Sequence, residues 1–181
     1  MDIWYKGENI LLDAGSYKYN TDEQTMRYFS GTESHNTVML DDKDQMLKGG
    51  HFIWFYWSQC ESASLNDEGA LYRFNGSINA FKYIKDDITH KRIITKQKGV
   101  PVWEVKDEVA GAPAEVKLNQ LWHTPSESAI VIQQKNKEGG RPEKRDGWYS
   151  SLYGQKEKTD EYYFSVPDNV IETIISVNTS R

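Results

Sequence analysis

The chain has 181 residues, a net charge of −5 and one cysteine, Cys60. With 38% hydrophobic and 27% charged residues it is too apolar for disorder, and it has no uncharged run long enough to span a bilayer, so membrane insertion is excluded, as is an intrachain disulfide. Lys+Arg 22 against Asp+Glu 27 lacks the basic excess that a phosphate backbone demands, which excludes generic nucleic-acid binding.

Aromatic residues make up 13% of the chain, and they suit a pleated, half-buried surface. In chain order the short apolar runs are Ile3 to Lys6, Ile10 to Asp13, Thr37 to Asp41, Phe52 to Trp57, Ala70 to Phe74, Ile88 to Thr95, Val102 to Val105, Val116 to His123, Ala129 to Gln133, Tyr162 to Val166 and Val170 to Val177. Gly, Asn, Asp and Pro separate them, which predicts one all-β domain over residues 1–181: an antiparallel β-sandwich of about a dozen strands or more with little or no helix. Ile3-Trp4-Tyr5 reads as a strand already under way, so a chain boundary inside a longer protein is expected there. Lys6-Gly7-Glu8 predicts a tight hairpin, and Gly49-Gly50, Asn75-Gly76 and Gly139-Gly140 predict later reversals. Thr21 to Phe29 has room for one short helical turn capped by Thr21 or Asp22. Two-residue alternation puts Val116, Leu118 and Trp122 on one face and Lys117 and Asn119 on the other; the same holds for Trp103, Val105 and Val109 against Glu104, Lys106 and Glu108. Gln134 to Gly147, polar and charged, reads as a surface loop.

Chemistry is sparse. His35 stands in Gly31-Thr32-Glu33-Ser34-His35-Asn36-Thr37, a polar approach to an apolar strand, where a loop offers an imidazole to a ligand. A surface histidine in a polar loop is the competing reading. His90 alternates with Ile88, Arg92 and Ile94 and reads as a satisfied, half-buried histidine, and His123 closes a strand; both are assigned structural roles. The unalternating run His51 to Trp57 predicts a strand with apolar surface on both faces, and a sugar-stacking platform is its alternative. Tyr17 and Tyr19, at i and i+2, point the same way if extended and offer paired phenols to sugar hydroxyls or carboxylates, or else cover a sheet edge. Asp41-Asp42-Lys43-Asp44 lacks the Gly and distal Glu of a calcium loop and reads as a turn.

Taken in order, Trp4-Tyr5-Lys6-Gly7-Glu8-Asn9-Ile10-Leu11-Leu12-Asp13, Gly15-Ser16-Tyr17-Lys18-Tyr19-Asn20, Arg27-Tyr28-Phe29, Ser34-His35-Asn36-Thr37-Val38 and Asp41-Asp42-Lys43-Asp44-Gln45 resemble the opening of the C-terminal domain of heparinase II/III-like polysaccharide lyases. Thr89-His90-Lys91-Arg92-Ile93 and Leu121-Trp122-His123-Thr124-Pro125 are similar to its later strands. The resemblance implies a β-sandwich that partners an N-terminal α/α toroid, with an acidic polysaccharide between them, in a bacterial protein of the periplasm or cell envelope. It implies cleavage of uronic-acid polymers, glycosaminoglycans among them, by β-elimination: a carboxylate is neutralised, a base takes the C5 proton and an acid protonates the leaving O4. On this reading His35 is the sandwich's catalytic contribution, as carboxylate neutraliser or proton shuttle, and Tyr17, Tyr19, Arg27 and Asn36 bind the acidic sugar. No cofactor is named. Some relatives hold zinc with two histidines and an aspartate, and His90 sits where one such ligand falls, but Asn36 and Thr37 stand where a second histidine near His35 is needed; a structural zinc or calcium ion stays open. The alternative function is a non-catalytic carbohydrate-binding or scaffolding domain, including one in surface-polysaccharide assembly.

Overall fold

The computed structural model describes residues 1–50, 52–135 and 141–178. Its strands are β1 (Ile3–Tyr5), β2 (Glu8–Leu11), β3 (Val38–Leu40), β4 (Leu47–Lys48), β5 (Trp54–Phe55), β6 (Gln59–Asp67), β7 (Leu71–Asn79), β8 (Thr89–Gln97), β9 (Val102–Ala110), β10 (Leu118–Pro125), β11 (Ile130–Gln134), β12 (Glu143–Tyr149), β13 (Glu157–Val166) and β14 (Val170–Val177). All pairings between these strands are antiparallel: a four-stranded sheet β12-β13-β10-β3 faces a six-stranded sheet β11-β14-β9-β8-β7-β6, with β1-β2 and β4-β5 as small ribbons. This is the expected all-β sandwich. Among the described residues no helix is long and apolar enough to cross a membrane.

The core lies between the sheets. Val105, Val109, Ile171 and Ile175 from the six-stranded sheet meet Leu118, Trp122, Phe164 and Val166 from the four-stranded one, and Ile3, Ile10 and Leu11 close the end. In β9, Val105, Asp107 and Val109 are buried while their neighbours reach solvent, as period two requires. β10 departs from that simple alternation because both of its faces are covered. Gln120 and Trp122 point to the opposing sheet, whereas Asn119 and His123 bond Asp41, Asn36 and Glu161 on the other side.

Helix α1 (Glu23–Ser30) helps cover that second side. The Asp22 side chain accepts from Thr25 N at 2.8 Å, Glu23 favours the positive end and Gly31 N–H closes the helix on the Arg27 and Tyr28 carbonyls. The hairpin between β1 and β2 turns through Lys6 (φ 50) and Gly7 (φ 87), the left-handed pair of a tight reversal.

Three expectations are corrected. Asn75-Gly76 is not a reversal but lies inside β7, whereas Gly49-Gly50 lies between β4 and β5. Glu143–Tyr149 is strand β12 rather than loop: its charges find cross-strand partners, Lys144 with Asp160 at 2.9 Å and Asp146 with Lys158 at 3.0 Å, and Arg145 stacks 3.5 Å from the Tyr163 ring centre. The Phe52 to Trp57 run forms only the two-residue β5, with Phe52 and Trp57 72% and 62% exposed instead of buried on both faces. His51 and the Gly139-Gly140 reversal lie outside the described residues.

Gly15 (φ +72) bridges to Ser150, whose carbonyl oxygen would sit 2.4 Å from an added Cβ. Gly15→Ala is therefore expected to lower unfolding free energy by about 2 kcal/mol or more, combining left-handed strain with a backbone clash. Gly69→Ala, at φ +75 but in open space, is expected to cost less. Urea midpoints of the two variants check this.

Candidate functional site

His35 follows a 3-10 turn (Thr32–Ser34) at the entrance to β3, in extended backbone (φ −117, ψ 151). Its Nδ1 lies 2.7 Å from Asp13 Oδ2, and Asp13 Oδ1 accepts from Gly15 N at 3.3 Å. Both side chains are about two-fifths exposed. Burial works against ionising Asp13, but the hydrogen bond and charge of His35 overcome it and hold the carboxyl below its usual range. No other described residue bonds the imidazole. With Nδ1–H donated to Asp13, a neutral ring carries its lone pair on Nε2, the arrangement of a proton acceptor whose tautomer is fixed by a carboxylate.

The ring faces a groove of about 460 Å³ whose lining includes Asp13, His35, Trp54, Phe74, His90 and Arg92. The groove's floor is a buried charge cluster. Asp107, fully inaccessible, accepts from Arg92 Nε at 2.7 Å and Nη2 at 2.8 Å, from His90 Nε2 at 2.8 Å and from Gln120 Nε2 at 2.7 Å. Desolvation opposes its ionisation, yet the Arg92 charge and the hydrogen bonds from His90 and Arg92 hold its carboxyl well below the usual carboxylate range. Arg92 also donates through Nη1 to Asn36 O at 2.5 Å and lies 5.0 Å from the Trp122 ring centre.

Asn36 is buried and braces the fold. Its Nδ2 donates to Met1 O and Leu12 O, both at 2.7 Å, and its Oδ1 accepts from His123 N at 2.7 Å. Those bonds fix the amide and hold the His35 loop, and Asn36 also lines the groove beside His35. His123 lies between Asn36 Oδ1 and Glu161 Oε2, each at 3.2 Å, a structural place as expected for it.

Tyr17 and Tyr19 line a neighbouring cavity that shares Ser30 and Trp54 with the His35 groove. Arg27 points elsewhere. It lines two cavities on other sides of α1 beside Asp42 and Asp44, so the structure does not bring it together with His35 or the tyrosines. Sequence reasoning missed Asp13 and Arg92 as site residues. The signals were an acid at the end of an apolar strand, and an arginine on the same alternation as His90.

His90, weighed as a ligand for an ion, is engaged with protein groups. His90 Nε2 is directed at Asp107, and the cation between the strands is the Arg92 guanidinium. Among the described residues no group of three or more His, Cys, Asp or Glu side chains is arranged to hold a metal.

The sequence matches the family described as "Heparinase II/III-like, C-terminal" over residues 1–180. No curated protein sequence matches it. Its fold is similar to that of a heparinase III solved with methylated lysines, with a TM-score of 0.72 and 21% identity over 96% of this chain and 28% of that one. The heparan sulfate lyase HepC from Pedobacter heparinus gives a TM-score of 0.73 and 16% identity over 99% of this chain and 30% of that one. The chain therefore spans less than a third of the length of these solved proteins.

Asp107→Asn is expected to destabilise the fold by about 3–5 kcal/mol, since Arg92 is left buried without its counter-charge. Because the folded carboxyl titrates below its unfolded value of about 3.9, its contribution is complete above about pH 5 and is lost as pH falls through the carboxylate range. Urea titrations at several pH values should show the wild-type stability dropping on acidification and a smaller drop in the variant.

Proposed function

Since the chain belongs to the Heparinase II/III-like C-terminal family, we propose that it is the C-terminal domain of a larger polysaccharide lyase that cleaves uronic-acid polymers by β-elimination, with His35 as its contribution to the reaction. The observation that carries this reading is the Asp13–His35 pair, 2.7 Å apart and open to the groove. Elimination needs a base for the proton on C5, next to the uronate carboxylate. The C5–H electrons become the C4–C5 double bond, the C4–O4 bond breaks, and O4 leaves with a proton from an acid. His35 suits the proton transfers, because Asp13 holds Nδ1 and stabilises the imidazolium formed when Nε2 takes up a proton. In its charged form the same ring neutralises a carboxylate. The remaining groups, and most contacts that select the polymer, belong to the larger protein's N-terminal toroid.

In that larger protein His35→Ala is expected to cut turnover on a uronate polymer about 10²-fold or more, followed by absorbance of the unsaturated product. Asp13→Asn is expected to lower kcat with little change in KM, since it perturbs the tautomer and not the sugar contacts. Undiminished turnover in His35→Ala removes this residue from the reaction.

A further inference from the structure

The groove at His35 is bordered by Ser30 and Trp54. A second cavity of about 270 Å³ opens there, and Ser30 and Trp54 belong to both. Its walls are aromatic: the Tyr19 ring lies 5.6 Å from Phe52, near perpendicular, and 5.6 Å from Tyr153. Tyr19 and Tyr153 are 64% and 63% exposed, so much of each side chain is open to an occupant. Lys18 and Lys48 complete the lining. Lys48 Nζ is bonded to the Ser30 hydroxyl and stands 5.7 Å from the Trp54 ring centre, and Lys18 Nζ stands 5.1 Å from that of Tyr17. Lys156 Nζ, outside the lining, stands 5.2 Å from the centre of the same Tyr17 ring. No described carboxylate lines this cavity, whereas the one on the next side of α1 mixes Arg27, Lys43 and Lys48 with Glu23, Asp42 and Asp44.

A local positive surplus in a chain of net charge −5 calls for an anionic occupant. Exposed rings beside it call for an apolar face on the same occupant. We propose that this cavity is a subsite for an acidic sugar, holding the saccharide unit next to the one at His35. The Tyr19 ring takes the C–H face of the pyranose, while Lys18 and Lys48 pair with its anionic substituent, a carboxylate or a sulfate. Ammonium groups on flexible stems are point charges that accept either anion, without the fixed fork that a guanidinium imposes. The inference rests on the His35 groove being the sugar site, because the two cavities adjoin at Ser30 and Trp54.

The test is calorimetric titration of the 181-residue chain with two probes, a heparin tetrasaccharide and an unsulfated uronate tetrasaccharide of the same backbone. Lys18→Met/Lys48→Met is expected to weaken binding about tenfold and to flatten its salt dependence, as loss of two partly exposed charge pairs should. Tyr19→Ala is expected to weaken it severalfold with salt dependence kept. Weakening for both probes identifies the carboxylate as the paired anion, and weakening for the sulfated probe alone identifies the sulfate. Lys18→Met by itself removes an exposed side chain and serves as the variant least able to disturb folding. Turnover of His35→Ala in the larger protein reads the catalytic proposal alone, whereas binding by the lysine and tyrosine variants reads the subsite, so the two fail separately. Unchanged affinity in the lysine and tyrosine variants, or no saturable binding of either tetrasaccharide at millimolar concentration, overturns the subsite.

Discussion

One buried carboxylate ties the sandwich together. Asp107 on β9 accepts from His90 and Arg92 on β8 and from Gln120 on β10, so a single side chain joins neighbouring strands of one sheet to the facing strand of the other. Trp122 extends the cluster by donating to Gln120 Oε1 at 2.9 Å, and its ring carries the Arg92 guanidinium. A charge in a dry interior is tolerated only where its lone pairs are filled and a counter-charge is at hand, and here both conditions hold. Apolar alternation fixes which face points inward, and this cluster adds a polar match that holds at one register alone. It thereby sets how β8, β9 and β10 meet.

The groove at His35 inherits that precision. Arg92 Nη1 reaches Asn36 O, and the Asn36 amide reaches Leu12 O and His123 N, so the segment presenting His35 is fastened to β10, to the end of β2 and to the buried cluster together. Asp13, one residue beyond Leu12, then meets the imidazole. The catalytic candidate thus sits in irregular backbone, yet the hydrogen bonds of its neighbour Asn36 lead to β8 and β10. This is the arrangement expected where a loop residue must hold a proton donor or acceptor within a few tenths of an ångström.

Much of this was legible in the sequence. Apolar runs bounded by turn residues located β3, β8, β9, β10, β13 and β14, and Asp22 marked the start of α1, because burial periodicity and capping are local signals. β6 escaped notice because all nine of its residues are exposed, leaving no inward face to produce alternation. β12 was hidden for a related reason: Glu143, Lys144, Arg145 and Asp146 look like loop, and only the partners supplied by β13 make them a strand. His35 stood out by its polar approach to an apolar strand. The roles of Asp13, Asn36 and Arg92 depend on contacts across 22, 87 and 56 positions of sequence, which no local pattern encodes.

Under the proposed lyase function, the electrostatics of the groove bear on how an acidic domain meets an acidic polymer. Arg92 looks like the natural partner for a uronate, but both of the contacts that would suit a carboxylate are already made to Asp107, and its remaining reach goes to a backbone carbonyl. His35 is likewise matched by Asp13. The floor at the reacting centre is therefore close to neutral, and a carboxylate held there gains no strong ground-state attraction from this half of the site. Such balance favours elimination, because positive charge is needed most as the carbanion develops and its carboxylate gains electron density. Tight pairing of the resting carboxylate would deepen the ground state instead. Attraction that brings the polymer in is better placed away from the reacting unit, on cations that do not take part in the proton transfers.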